Sequence, residues 1–265
     1  MPQPSSNGSS GQGPADGQQA AVTLTEVSKV YGRGPAALLA VDRLSLTVSP
    51  GEFVCLIGAS GCGKSTLLSM VAGLDTPTSG TVEVAGHRVS MMFQEPALFP
   101  WLTARKNIEL AMRARGVPAA DRRRLAGELL QTVHLSGFAD KRPHELSGGM
   151  RQRVALARAL AQDADLLLMD EPFGALDAMT RDLLHDELDR ICADRSLTIL
   201  FVTHNVREAV RLGDRVVLLS SRPGTVIEEY PVPRSGPRRI DSVQVAELAS
   251  QITDRLREEM SRHGG

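Results

Sequence analysis

The chain has 265 residues, 42% of them hydrophobic and 23% charged, which is the composition of an ordinary globular protein with a full core. Its 30 Lys and Arg residues against 31 Asp and Glu residues give a formal net charge of −1, so we expect no nucleic-acid partner. Three cysteines without a C-x-x-C pair argue against a disulfide framework or a zinc site and favour a reducing compartment.

The N-terminal residues are rich in Pro, Gln, Ser, Gly and Ala, without the basic start or the apolar run of a signal peptide. We therefore predict a disordered tail over residues 1–21. The apolar runs of the sequence are far shorter than the ~20 residues of a membrane-spanning helix, so we expect membrane association only through a partner protein.

Residues 22–30 and 44–48 alternate apolar and polar side chains, which predicts strands of a small antiparallel sheet. Residues 52–58 form a short apolar run that ends in glycine, and residues 65–72 have helical periodicity. The order is therefore strand, glycine loop, helix.

The loop between that strand and helix fits the pattern G-x-x-x-x-G-K-[S/T] of a phosphate-binding loop. Glycines let backbone N–H groups face phosphate oxygens, and a helix N-terminus adds a positive dipole end. Lys64 should reach the β and γ phosphates of a nucleotide, and Ser65 should hold Mg²⁺. The predicted nucleotide contacts are Gly58, Ala59, Ser60, Gly61, Cys62, Gly63, Lys64, Ser65 and Thr66. Cys62 could be a reactive thiol at a helix N-terminus or a small side chain that merely fits the loop.

Helical patterning dominates the middle of the chain, with breaks at residues 116–118 and 141–143. We predict helices over residues 104–115, 119–135 and 150–161, which together form a separate helical subdomain at about residues 100–160. The basic residues among them, such as Arg113 and Arg122, favour a solvated helix face over a contact with lipid head groups or a partner protein.

Buried strands then alternate with helices, which predicts a parallel α/β sheet. The expected strands are residues 165–170, 198–203 and 215–219, the helices between them 181–193 and 206–212, and a last amphipathic helix 243–260.

Two carboxylates stand at the end of the first of these strands, where ligands bind in such sheets. We assign Asp170 to Mg²⁺ and Glu171 to general-base activation of water. An isolated Asp-Glu pair would favour a helix cap or a solvated strand end, but the phosphate loop reverses that preference.

The segment Leu146-Ser147-Gly148-Gly149-Met150 opens a helix with free N–H groups suited to a second phosphate contact. Alone it would be only a helix N-cap. Taken together with the phosphate loop, this segment resembles the LSGGQ signature of the ABC transporter ATPases. In this chain Met150 stands where the family more often has Gln.

The resemblance implies further site residues in chain order. Gln94 would be the Q-loop residue, which contacts the metal and senses hydrolysis, Asp177 the D-loop residue and His204 the switch histidine at the γ-phosphate. Tyr31 would stack on adenine. The alternatives are a satisfied core histidine for His204 and a surface or edge-strand tyrosine for Tyr31.

The resemblance also implies an α/β P-loop NTPase fold, in which a RecA-like parallel sheet core carries an antiparallel β subdomain and the inserted helical subdomain. The ABC ATPase domain would span residues 22–231, followed by a C-terminal extension with a terminal helix over residues 232–265. Two such subunits pack head to tail in this family, so each ATP would lie between residues 58–66 of one and 147–149 of the other.

A member of this family would hydrolyse ATP at the cytoplasmic face of the membrane, as a peripheral subunit bound to integral permease subunits. Residues 92–102, 172–178 and 221–224 resemble the nitrate, sulfonate and taurine importers, which receive solute from an extracytoplasmic solute-binding protein. An exporter or lipid-trafficking ATPase, or a soluble ABC protein, are the alternatives.

The apolar string after Gln94 holds Phe99 and the single tryptophan, Trp101. Two interpretations remain: a core position within the chain, which is usual for aromatic residues, or a groove that receives a permease helix.

Overall fold

The computed structural model describes residues 19–86, 88–233, 240 and 242–263. Most of the predicted tail and part of the C-terminal extension lie outside these residues. At the end of the tail segment, Ala21 is already fully buried, and its N–H donates to the Val48 oxygen at 2.8 Å.

The described residues contain nine strands and seven α-helices. The strands are β1 (Val22–Tyr31), β2 (Leu38–Val48), β3 (Phe53–Ile57), β4 (Ser79–Val84), β5 (Val89–Met92), β6 (Leu166–Asp170), β7 (Thr198–Val202), β8 (Arg215–Leu219) and β9 (Val226–Pro231). The helices are α1 (Lys64–Val71), α2 (Ala104–Ala114), α3 (Ala119–Thr132), α4 (Gly148–Leu160), α5 (Ala178–Arg195), α6 (Val206–Leu212) and α7 (Val243–His263).

The main sheet has six strands in the order β5-β6-β7-β3-β8-β9. Its first five strands run parallel, and β3, β6 and β7 are buried along their whole length. Continuous apolar runs suit strands covered on both faces, so the predicted parallel α/β sheet is confirmed. Because β3, β6 and β7 are neighbours and parallel, their carboxyl ends meet at one edge.

Two edge strands of this sheet, β5 and β9, were not predicted. β9 runs antiparallel to β8 at the sheet edge, and its middle residues Glu228 and Glu229 are exposed. A half-exposed edge strand lacks the continuous apolar run of the central strands, so its sequence signal is weak.

The second sheet has three antiparallel strands in the order β2-β1-β4. β2 begins at Leu38, earlier than the predicted start at residue 44, and its added half pairs with the end of β1. Leu38 and Leu39 are adjacent apolar residues on an irregular stretch, so simple alternation does not extend to them.

Helices α2, α3 and α4 pack on one another through Ile108, Leu130 and Val154, all buried. Helix α7 packs on α6 and buries Val245, Ala249 and Ile252 in the same core. None of the helices in the described part of the chain combines the length and the apolar character required to cross a bilayer.

Candidate nucleotide-binding site

The phosphate loop lies between the buried strand β3 and helix α1. Gly63 has φ +95°, and a Cβ there would lie 2.8 Å from the Ala40 carbonyl oxygen. A side chain at Gly63 would therefore face both backbone strain and a clash. The glycine allows the loop to turn tightly beneath β2 before the helix begins at Lys64.

Lys64 is 8% exposed, and its Nζ donates to the carbonyl oxygens of Gly58 at 2.8 Å and Ala59 at 2.9 Å. The ammonium group is thus held inside the curve of the loop. Cys62 lies beneath the loop, only 1% exposed, in a core cluster with Leu67 and Leu68. This burial favours the interpretation of Cys62 as a small side chain that fits the loop over that of a reactive thiol.

Asp170 ends β6 and is 6% exposed. Burial raises the pKa of its carboxyl group, and the negative charge of Glu171 acts in the same direction, while a hydrogen bond with Ser65 and the charge of Lys64 oppose the rise. Strand β6 and the phosphate loop therefore bring a carboxylate, a hydroxyl and an ammonium group together.

Glu171 adopts a left-handed backbone conformation with φ +46°, and its N–H donates to the Val202 oxygen at 2.9 Å. A non-glycine residue in this region is strained, and such strain clusters at functional sites. The turn directs the carboxylate toward the next two strand ends instead of along β6.

The Glu171 carboxylate is the meeting point of two other predicted residues. His204, which follows β7, has its Nδ1 3.1 Å from Glu171 Oε2, and Gln94 Nε2 lies 3.5 Å from the same oxygen. His204 is exposed, so the core interpretation of this histidine is wrong. Gln94 is in turn held by α4, because Gln152 Nε2 donates to its carbonyl oxygen at 3.3 Å.

A buried polar pair, His185 and Glu208, lies behind the segment that carries His204. This pair was not predicted. His185 on α5 is 0% exposed, and its Nε2 lies 2.8 Å from Oε1 of the buried Glu208 on α6. Thr203, next to His204, hydrogen-bonds the other oxygen of Glu208. Since His185 and Glu208 lie on different helices, 23 positions apart in the sequence, no local pattern marks them as partners.

Tyr31 borders the pocket and is fixed by groups that the sequence did not connect with it. Its hydroxyl donates to Asp75 Oδ2 at 2.9 Å, and Lys29 Nζ lies 5.0 Å from the ring centroid. The hydrogen bond with Lys29 is the main cause that lowers the pKa of Asp75. The ring is 40% exposed, which leaves a face free for stacking.

These elements enclose a pocket of about 540 Å³. It is lined by Tyr31, Leu38, Ala40, Gly58, Ser60, Gly61, Gly63, Lys64, Ser65, Thr66, Gln94, Asp170, Glu171, His204 and Arg222. Leu38, Ala40 and Arg222 were not predicted. The first two lie on the unexpected half of β2, and Arg222 lies in a segment noted only for its resemblance to importers.

The other predicted nucleotide-binding residues lie in a separate group. Ser147 caps α4 by accepting a hydrogen bond from the Met150 N–H at 3.2 Å, and Asp177 caps α5 by accepting from the Thr180 N–H at 2.9 Å. That N–H is the main cause that lowers the pKa of Asp177. Gly149 adjoins the segment before Asp177, because a Cβ there would lie 3.0 Å from Leu176 Cδ2. Neither cap lines the pocket.

The predicted magnesium ligands suit a hard cation by their chemistry. Ser65, Asp170 and Gln94 offer hydroxyl, carboxylate and amide oxygens, which Mg²⁺ prefers, and the hydrogen bond between Ser65 and Asp170 brings two of them together. Among the described residues no group of three His, Cys, Asp or Glu side chains has a metal-binding arrangement. Asp170 is the only residue of these types in the predicted set, so the remaining ligands of a bound Mg²⁺ would be phosphate and water oxygens.

The aromatic string after Gln94 is on the surface. Trp101 is 68% exposed and Phe99 37% exposed, with their ring centroids 5.5 Å apart. The buried Asn107 anchors the segment by accepting from the Phe99 N–H at 2.9 Å and donating to the Thr103 oxygen at 3.0 Å. Of the two interpretations, the core position is therefore wrong: Asn107 hydrogen-bonds the backbone of this segment, and both rings stay exposed.

The sequence of this chain is similar to those of known proteins. A profile of the family described as ABC transporter matches residues 41–174. The chain is 46% identical over 216 residues to the nitrate import ATP-binding protein NrtD of Synechocystis sp., covering 79% of this chain and 81% of that protein. It is also 46% identical over 216 residues to the taurine import ATP-binding protein TauB of Mesorhizobium japonicum, covering 79% and 83%.

A solved structure shares the architecture. The dimeric structure of a post-hydrolysis state of the ATP-binding cassette MJ0796, bound to ADP and Pi, superposes with a TM-score of 0.75. It is 33% identical in sequence, and the match covers 80% of this chain and 99% of that one.

Proposed function

The chain belongs to the ABC transporter family, and on that basis we propose that it is the ATP-hydrolysing subunit of an importer for nitrate, sulfonate or taurine-type solutes. The observation that carries the proposal is the convergence of Gln94 and His204 on the Glu171 carboxylate, beside the phosphate loop and Asp170.

The residues act on ATP as follows. The loop N–H groups and Lys64 bind the β and γ phosphates, and Tyr31 stacks on the base. Ser65, Asp170 and Gln94 would hold Mg²⁺, which would supply positive charge to the phosphates. Glu171 accepts a proton from the attacking water, while His204 donates a hydrogen bond that orients the γ-phosphate. The bond to the β-phosphate oxygen then breaks, giving ADP and phosphate.

A second copy of the chain completes the site. At the start of α4, Ser147 is exposed and Gly148 and Gly149 are half-buried, and none of the three lines the chain's own pocket. Helix N-termini of this kind bind phosphate, and in this family they reach the partner's nucleotide. The solved relative, which is dimeric, supports this arrangement.

The exposed aromatic surface receives the integral permease. An apolar groove runs beside Phe99 and is lined by Phe93, Ala97, Leu110 and Ala111. Arg158 on α4 holds its edge by donating to the Pro96 and Ala97 carbonyl oxygens, both at 2.8 Å. Since Gln94 begins the same segment, a permease helix seated here would respond to hydrolysis. The subunit then works at the cytoplasmic face of the membrane, with solute delivered from outside by a solute-binding protein.

The test measures phosphate release by the purified chain at several protein concentrations, with Mg²⁺ and ATP. We expect a specific rate that rises with concentration, because the complete site needs two chains, and that falls to background in Lys64→Ala. Reconstitution with the permease should then show stimulation by nitrate, taurine or an alkyl sulfonate. Absence of ATP hydrolysis under all these conditions would refute the proposal.

A further inference from the structure

The connection between β8 and β9 is built against the phosphate loop. A Cβ at Gly224 would lie 2.1 Å from the Cys62 carbonyl oxygen, so only glycine allows this approach. The Gly224 N–H donates to the Ala40 oxygen at 2.9 Å, and its own oxygen accepts from the Asp42 N–H at 3.1 Å. The connection is therefore packed between the phosphate loop and β2.

The same connection is rigid within itself. The buried Ser220 donates from its hydroxyl to the Pro223 oxygen at 2.6 Å and accepts from the Thr225 N–H at 2.8 Å. Backbone bonding between Ser220 and Thr225 closes the turn at 2.9 Å. The residue at its tip, Arg222, is thus presented on a preorganised turn instead of a mobile loop.

Arg222 extends back over the phosphate loop. Its Nε donates to the Gly61 oxygen at 3.1 Å, and its Nη2 lies 2.6 Å from where a Cβ of Gly61 would be. Gly61 has φ +76°, a backbone conformation that favours glycine. The missing side chain also leaves room for the guanidinium of Arg222. Arg222 lines the same pocket as Lys64 and Ser65.

The described residues do not neutralise the charge of Arg222. No carboxylate in the described ranges pairs with it, and only one of its five N–H groups is engaged by Gly61. The carboxylates of the pocket belong to Asp170, which ends β6, and to Glu171, which follows it, and neither pairs with Arg222. A planar guanidinium with free donors suits the oxygens of a phosphate group.

We propose that Arg222 is a nucleotide-binding residue, whose guanidinium binds an oxygen of the triphosphate while holding the Gly61 carbonyl in place. The inference rests on the proposed binding of ATP in this pocket. It adds a second cation to Lys64, supplied by a connection at the opposite edge of the main sheet from β5 and β6.

The test compares Arg222→Gln and Arg222→Lys with Arg257→Gln, which removes the same charge from an exposed position paired with Asp254 on α7. Competition assays on the full chain would measure the dissociation constants of Mg²⁺-ATP and of adenosine, at low and high salt. We expect Arg222→Gln to weaken ATP binding about 10-fold or more, with a smaller loss in Arg222→Lys. Adenosine binding should be unchanged, and the loss should shrink as salt rises.

Two results would overturn the inference. The first is ATP binding by Arg222→Gln that is as tight as binding by Arg257→Gln. The second is an equal loss of ATP and adenosine affinity in Arg222→Gln at every salt concentration, which would make the residue a scaffold of the turn. Lys64→Ala separates this failure from that of the proposed function. If Lys64→Ala also binds ATP normally, the pocket itself is misassigned.

Discussion

The pocket at the end of the main sheet and the surface formed by Ser147 to Gly149 with Asp177 differ in how their polar groups are satisfied. In the pocket, side chains from several elements hydrogen-bond one another, as Gln94 and His204 do with Glu171. On the other surface, each cap bonds only the first turn of its own helix. The first region is a nearly complete site, whereas the second offers donors that the chain itself does not use.

One glycine from each region, Gly63 and Gly148, shows the same difference. A Cβ at Gly63 would lie 2.8 Å from the Ala40 oxygen, so the fold itself requires glycine there. At Gly148 the nearest atom would be 3.9 Å away, which is ordinary contact. Space for a side chain exists at Gly148 within the chain, so the glycine is explained better by something that approaches from outside.

The largest expected effect concerns the pocket alone. Glu171→Gln should retain ATP binding but lower the hydrolysis rate by about 10²- to 10⁴-fold, because it removes the base. The exposed neighbour Glu95 provides the control, and Glu95→Gln should hydrolyse at the wild-type rate. Measurement is by phosphate release at saturating ATP. Near wild-type turnover in Glu171→Gln would remove this residue from its role.

The stability of the protein should depend on the buried pair of His185 and Glu208. His185→Leu leaves the buried Glu208 carboxylate without its 2.8 Å contact and should lower the free energy of unfolding by about 3 kcal/mol. His185→Gln keeps a donor and should lose much less. Denaturant unfolding of the two variants gives the comparison. Equal stability of the leucine and glutamine variants would show that the pair contributes little.

The smallest effect is expected at the exposed aromatic surface, outside both regions. Trp101→Ala should leave folding and ATP binding unchanged, since the ring is 68% exposed, but weaken permease assembly by roughly 2 kcal/mol. Met179→Ala changes another exposed apolar side chain and is the control for nonspecific hydrophobic association. Co-purification and titration with the permease would measure both. Unchanged assembly in Trp101→Ala would exclude this surface as the docking site.

Sequence patterns predicted the elements whose signal is local. The central strands are continuous apolar runs and the helices have clear periodicity, so β3, β6, β7 and α1 lie within a residue or two of their predicted bounds. The edge strands β5 and β9 and the first half of β2 were missed because short, half-exposed or irregular strands lack such a pattern.

The site shows the same limit. Lys64, Asp170 and Glu171 are marked by their motifs, whereas Arg222 and the His185–Glu208 pair reach their positions only through packing between distant segments. The aromatic string was apolar enough to suggest a core, but Asn107 holds it at the surface. The exposure of an apolar residue depends on tertiary packing, so composition alone does not predict it.

The claim that a complete site needs two chains is tested most directly by mixing two inactive variants. Lys64→Ala lacks the pocket cation, while Gly148→Asp places a negative charge on the helix start that should face the partner's nucleotide, at a position with room for it. Gly148→Ala, which adds bulk without charge, should stay active. We predict that the mixture hydrolyses ATP well above the sum of the separate variants, because a mixed pair contains one intact site. A mixture no more active than its components would contradict the account.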